Sequence, residues 1–458
     1  MDGEEYDIVI MGTGVTESIL SGLFSMEGKK ILHVDSNPFY GGSGASLNLT
    51  SLWKKFKPQE AVPEELGQNR DWNIDLIPKF VMAYGKLVKM IIKTEVSHYL
   101  SWKCVEGTYV YQYKKGGMFS NAGGVIQKVP ANDKEALASD LMSLFEKRRC
   151  HKFYKFLNKF DEQKPETFPK RDPFKSTFAQ FIEEFGLEDS TIDFLGHAVA
   201  LYTTEEFMSA PAVEVIRKMQ LYMDSVGRFG DSPFIYPVYG LAGIPESFAR
   251  KCAVYGGTFM LNVEITNIEV DASSGKSKVW GIYEGKKSFA TTKYIIASPE
   301  YLIKTGLSER LQKIGTIVRV ICIIDHPIAK TGNSNAVQII LPQKQTKRQN
   351  DIYIMSIGNS HGVSKKGYYV AVISSIQENP DVEADFAIAF ETIGAIKHKF
   401  VTREDQYVPK SSNGKDCIFV TNTLDPTSHF ETAAENVIEI YKAITGKDVD
   451  LTIKEAEE

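Results

Sequence analysis

The sequence predicts an α/β (α+β) protein: a large sheet domain into which a smaller all-helical domain is inserted. Three observations carry this expectation. The first forty-odd residues read strand, glycine turn, helix, strand. Residues 130–226 show helical spacing and no strand pattern. Strand-forming runs then dominate from 234 to 375. The expected division is therefore 1–129 and 227–458 for the sheet domain, and 130–226 for the helical domain.

Asp7 to Met11 is a short apolar run, and Gly12-Thr13-Gly14 follows at once. Ile19 to Met26 reads as a helix, Lys30 to Val34 as a second strand, and Asp35 closes it. This is a βαβ opening with a dinucleotide-binding outline: glycines admit the pyrophosphate, the helix N-terminus faces it, and the acid takes a ribose hydroxyl. Glu17 breaks the pattern, because it stands where the third glycine is expected. A carboxylate in a first helical turn suits the bare helix but repels a bound phosphate. Gly12, Gly14, Glu17 and Asp35 thus predict the fold with a degenerate site.

The loop 36–42 contains Pro38, Phe39, Tyr40 and paired glycines. Trp72, Ile74 and Leu76 alternate as in a strand, and Leu87 to Tyr99 reads as a helix. Thr108 to Tyr113 and Val125 to Val129 read as a hairpin with a long glycine-rich connection. Asn132 or Asp133 can cap the first helix of the insert, where Leu137, Leu141, Leu144 and Phe145 recur at helical spacing. Phe234 to Tyr239, 256–261, 263–270, 279–283 and 294–297 read as strands, with 294–297 as the return strand of the first layer. Residues 316–325, 337–341, 351–357 and 368–375 suit a second, mixed sheet. Helices are expected at 241–254, 388–400 and 431–444.

A net charge of −5 argues against non-specific nucleic-acid binding, which needs a basic surface. The five cysteines are scattered and form no CxxC, so neither a disulfide frame nor a zinc-thiolate site is expected. None of the eight histidines makes a helical metal pair, and no nucleophile elbow or phosphate loop is present. The chain opens without a basic or apolar leader, contains no run of membrane-spanning length and ends without a prenylation cysteine. A cytosolic protein without its own lipid is expected. Near the C-terminus, Asp425 to Thr432 lies where a flavin oxidase of this plan has a glycine-rich turn. It has no glycine, and Glu431 enters the helix start. Both anion-facing helix starts carry an acid, which predicts a flavoprotein-like scaffold without a working FAD site.

With these stretches in view, the chain resembles the family of Rab GDP dissociation inhibitors and Rab escort proteins. The resemblance rests on 12–17, 35–42, Arg70 to Phe80, Glu106-Gly107, 147–149, Gly196 to Tyr202, Ser232 to Leu241, 248–250, 255–262 and 427–431. The length suits the inhibitors better than the escort proteins. The resemblance implies no catalysis and binding of GDP-bound, prenylated Rab GTPases by a monomer, with transient membrane contact. It implies a Rab-binding platform of Tyr40, Arg70, Arg250, Thr258 and Met260. Gly243 stands where the family has a glutamate, and whether Glu246 replaces it is open. A mobile effector loop is expected at Arg228 to Tyr236, with Arg228, Phe234 and Tyr236, and Asp231 where a lysine is common. The geranylgeranyl group is expected in the helical domain. Candidates for its lining are Leu141, Leu144, Phe145, Leu195, Val199, Ile216, Met219 and Met223. An escort protein and, from another class, a flavin-dependent oxidase are the alternatives.

Overall fold

A computed structural model describes residues 3–114, 123–138, 142–271, 274–410 and 413–452. Its opening follows the predicted order: strand β1 (Glu5–Met11), helix α1 (Val15–Met26) and strand β2 (Ile31–Val34). β1 and β2 pair in parallel, with Ile8 opposite Ile31 and Met11 opposite Val34. Ile8 to Met11 and all of β2 are buried. Both faces of this layer are covered, which is why its strands read as unbroken apolar runs. The return strand is the end of Lys286–Ala297, parallel to β1 on its other side. Ile418–Val420 joins it in parallel, and Lys276–Tyr283 and Glu264–Asp271 extend the layer antiparallel. Thr258–Met260 forms the opposite edge, beside β2.

The second sheet runs in the order His398–Pro409, Leu311–Ile324, Tyr369–Ile376, Ile352–Gly358, Ala336–Leu341, Gly107–Lys114, Gly123–Lys128. It is mixed, as expected, because Ala336–Leu341 pairs in parallel with Gly107–Lys114. The glycine-rich connection of the predicted hairpin, 115–122, lies outside the described residues.

The elements between 130 and 226 are all helical among the described residues. Asn132 caps Asp133–Ala138, its side-chain oxygen accepting from the Glu135 N–H at 2.9 Å. Ser143 caps Leu144–Lys159 in the same way. Phe153, Phe181, Phe207 and Ile216 are buried in a core that continues without a break to Ile8, Phe24 and Phe248 of the sheet layer. The helices therefore do not close on a core of their own.

Four expectations are corrected. Residues 388–400 do not form one helix. Ala387–Ile393 stops at Gly394, whose φ of +89° ends the turn, and His398 opens a long edge strand. Leu87 to Tyr99 breaks at Glu95, which has left-handed geometry between Lys86–Lys93 and the 3-10 turn Val96–Tyr99. The alternation at 72–76 yields only the two-residue strand Ile74–Asp75. Trp72 is buried and donates its indole N–H to the Leu66 carbonyl at 2.9 Å. Finally, Phe234 and Tyr236 belong to the strand that their own pattern predicts, not to the loop that the family resemblance implies. They are fully buried in Phe234–Pro237, the middle strand between Val81–Met82 and Trp102–Cys104. The Tyr236 hydroxyl donates to the buried Asp75 carboxylate.

This placement separates two phenylalanines that are five residues apart. Phe234→Ala should lower unfolding free energy by about 3–5 kcal/mol, as for a large core deletion. Phe229→Ala, with its ring 54% exposed, should cost under about 0.5 kcal/mol. Urea denaturation measures both, and equal losses would contradict the assignment.

Candidate functional site

The glycine turn is built around two carboxyl groups. Gly12, at φ +102°, leaves β1 where a Cβ would press against Ser298. Gly14 precedes α1, and the Glu17 side chain folds back over it: a Cβ on Gly14 would lie 2.5 Å from Glu17 Oε2. Glu17 is buried, and its other oxygen accepts from the Thr421 hydroxyl at 2.5 Å. Its carboxyl thus occupies the space at the helix N-terminus that a pyrophosphate takes in a dinucleotide site.

Asp35 is equally committed. One of its oxygens accepts from the Thr13 N–H and hydroxyl at 2.7 and 2.6 Å. The other accepts from Asn37 N and Nδ2 and from the Tyr301 hydroxyl at 2.8, 2.9 and 3.1 Å. No lone pair is left for a ribose hydroxyl without breaking one of these bonds. The cavity beside the turn is about 290 Å³ and is lined by Glu17, Glu300, Glu404 and Asp405 as well as the glycines. At the second cofactor turn, the buried Lys79 ammonium bonds Asp425 at 2.6 Å and the Thr427 carbonyl at 2.5 Å. Burial opposes the Asp425 charge, but Lys79 holds that carboxyl well below its usual range.

A second constellation lies at the edge strand. Tyr40 is half-buried, 6.1 Å from the ring of Phe259. Its phenol is pushed up by burial first and then by the charge of Glu246. Glu246 and Arg250 are one helical turn apart on Gly243–Val254, so they share a face. The exposed Arg250 guanidinium stacks over Tyr99 at 4.6 Å. Val254, the next residue on that face, is 71% exposed. Thr258 and Met260 stand on the edge strand with Phe259 between them, so they point to the opposite face from Phe259. Gly243 opens the helix, with Leu100 where a Cβ would come within 3.0 Å. Arg70 is exposed on the separate turn Asn69–Asp71, and among the described residues no hydrogen bond, ion pair or ring contact ties it to the other four. Tyr99 and Val254 were not among the sequence candidates. Helical spacing from Arg250 reaches Val254, but nothing local points to Tyr99.

The sequence pattern of the family described as "GDP dissociation inhibitor" matches residues 1–456. The chain belongs to this family. It is 44% identical over 448 residues to Rab GDP dissociation inhibitor beta of Canis lupus familiaris, covering 98% of this chain and 96% of the relative. The crystal structure of a Rab GDI from Plasmodium falciparum superimposes with a TM-score of 0.92 at 46% identity, covering 98% of this chain and all of that one. An oxidoreductase from Methanosarcina mazei shares the fold at 14% identity, with a TM-score of 0.58 over 95% of this chain and all of that one. The family is one of regulators, not enzymes.

The remaining family expectations fall as follows. Arg228 is exposed, stacks 3.8 Å over Tyr84 and donates to the Asp224 carbonyl at 3.1 Å. Of the lipid candidates, Leu195, Val199, Ile216 and Met219 are fully buried in one core, with Met223 packed at its margin. Leu144 and Phe145 are instead 65% and 69% exposed at the start of their helix, so they do not line that core. Leu141 lies outside the described residues. Among the described residues no helix is long and apolar enough to cross a membrane.

Glu17 gives this site a pH signature. Burial pushes its carboxyl up to about 7, outweighing the Thr421 hydrogen bond. The same group in the unfolded chain titrates near about 4.3. Between those values the folded state holds more protons, so stability from this group is complete at low pH and is lost as pH rises through about 7. Glu17→Gln should match wild type near about pH 4 and exceed it by about 1–3 kcal/mol near about pH 8. Denaturant titrations at the two pH values measure this; a constant difference would remove Glu17 as the titrating group.

Proposed function

We propose that this chain is a Rab GDP dissociation inhibitor that binds GDP-bound, prenylated Rab GTPases, slows GDP release and withdraws them from membranes into the cytosol. The observation that carries this reading is the 44% identity, nearly end to end, with a Rab GDP dissociation inhibitor. The half-buried Tyr40 and the exposed Arg250 supply the chemistry: aromatic and arginine side chains are the residue types that dominate protein interfaces. In this reading Tyr40, Arg250, Thr258 and Met260 form the Rab platform, with Arg70 contributing from its own turn, and the chain acts as a monomer. Glu246 stands in for the family glutamate replaced by Gly243. No flavin takes part, since Glu17 occupies the phosphate end of that site. The escort-protein and oxidase readings are not favoured: the curated relative is a dissociation inhibitor, and the oxidoreductase likeness is one of fold alone.

The geranylgeranyl group is assigned to the helical segment. Exposing it to water costs about 0.8 kcal/mol per CH₂, so a carrier must offer a comparable apolar space. The helix Leu144–Lys159 packs on Ala212–Ser225. Helices can part without breaking a ladder of backbone bonds. The exposed Leu144 and Phe145 would stand at the entrance, with Leu195, Val199, Ile216, Met219 and Met223 beneath. The loop 227–231, with exposed Arg228 and Phe229, would touch the membrane in passing.

Extraction of prenylated, GDP-loaded Rab from liposomes tests the function directly; a folded chain that releases no Rab would overturn it. Arg250→Ala should weaken Rab binding by about 2 kcal/mol or more, roughly thirtyfold in Kd; unchanged affinity by calorimetry removes Arg250 from the platform. Phe145→Asp, at an exposed position that tolerates a charge, should slow extraction of prenylated Rab and leave binding of unprenylated Rab unchanged. Wild-type extraction by this variant would place the lipid elsewhere.

A further inference from the structure

A cluster outside both constellations stands where the helical segment meets the second sheet. Asp193 lies on Asp189–Phe194, and His197 follows one turn later in the π-helical turn Leu195–Val199. Glu205 opens the turn Glu205–Met208. His197 Nε2 is 3.3 Å from Glu205 Oε1 and 3.7 Å from Asp193 Oδ1. The three potential ligand atoms all lie within 4.8 Å of one another. We infer that Asp193, His197 and Glu205 form a binding site for a divalent transition-metal ion of the zinc class.

Three observations support the assignment. The first is spacing. Around a zinc ion with bonds of about 2.0–2.2 Å, tetrahedral ligand atoms stand about 3.4 Å apart, and the two distances to Nε2 bracket that value. The second is the far side of the imidazole. Nδ1 is 2.7 Å from Asp351 Oδ2, so that carboxylate can accept a hydrogen bond from the Nδ1 proton while Nε2 gives up its own proton to make way for an entering metal ion. A metal-bound histidine almost always has such a carboxylate behind it. The third is the buried carboxylate. Asp193 is 6% exposed, and its Oδ1 has no hydrogen bond; only two longer ion pairs reach it, from His197 at 3.7 Å and Lys344 at 3.8 Å. A directly bound cation would balance that buried charge better than these two contacts.

Without a metal ion, the cluster is held by protons and by Lys344. Burial disfavours charge on His197, but Asp351, Asp193 and Glu205 keep its pKa up at about 9. The Lys344 ammonium bonds Glu205 Oε2 at 2.7 Å and stands 3.8 Å from Asp193 Oδ1. Its side chain is 58% exposed, so it can swing into solvent when an ion enters. The fourth ligand position would fall to water. The ion would join the helical segment to the sheet, because Asp351 directly precedes the strand Ile352–Gly358.

The test uses the metal-stripped full chain, titrated with Zn²⁺ by calorimetry, as wild type, Asp193→Asn and Lys344→Ala. Wild type should take up one ion, Asp193→Asn should bind at least about tenfold more weakly, and Lys344→Ala should bind about tenfold more tightly. Lys344→Ala alters only a half-exposed side chain, so it reports even if the buried Asp193→Asn variant does not fold. Loading with Co²⁺ should give a visible spectrum without a thiolate charge-transfer band. No zinc uptake by wild type, equal affinity in Lys344→Ala, or a thiolate band from the cysteines would each overturn the assignment.

Discussion

The buried carboxylate of Asp35 holds the first sheet to everything that the site uses. Its side chain closes the glycine turn through Thr13 and gathers Asn37 and Tyr301. Its backbone is engaged as well. The N–H donates to the Met260 carbonyl at 3.0 Å, and the carbonyl accepts from Val263 at 2.9 Å. The edge strand carrying Thr258 and Met260 is thereby locked to the end of β2. The geometry of the degenerate turn and that of the proposed platform are set by one residue. An acid in this position serves a ribose in a dinucleotide enzyme; here it is consumed in joining two parts of the protein.

What the sequence could disclose follows from how far apart the interacting residues are. The βαβ opening is legible because its strand, glycines and helix are contiguous, and each reads correctly alone. The boundary at Gly394 escapes a local reading because 388–400 is apolar enough for either state. Its last residues become strand only by pairing with Leu311–Ile324, some eighty residues earlier. Phe234 and Tyr236 are legible as strand from their own pattern, and only the family resemblance put them in a loop; their partners are Val81–Met82 and Trp102–Cys104. Helical spacing places Leu144 and Phe145 on an apolar face, but it cannot say whether another element covers that face. The structure leaves both exposed.

The candidate sites show the same limit more sharply. Tyr40 and Arg250 share no local signal; Tyr40 lies beside Phe259 of the edge strand, and Arg250 is on the helix that packs against that strand. Resemblance to a family supplies what spacing does not. For Asp193, His197, Glu205 and Asp351 neither route helps. A histidine pair on a helix is conspicuous, whereas one histidine among carboxylates looks like an ordinary solvated stretch until the fold buries it.

The short loop after Ser225 has a mechanical consequence. Gly227 donates to the Gly230 carbonyl at 2.8 Å, and Arg228 is stacked on Tyr84 and bonded to Asp224. On the far side, Phe234–Pro237 is clamped between two strands. Phe229 therefore stands on a brace with both feet fixed, although it is mostly in solvent. A flexible loop surrenders conformational entropy when it docks; one already ordered surrenders little. In the proposed reading, docking through Phe229 would therefore lose little affinity to the ordering of its loop.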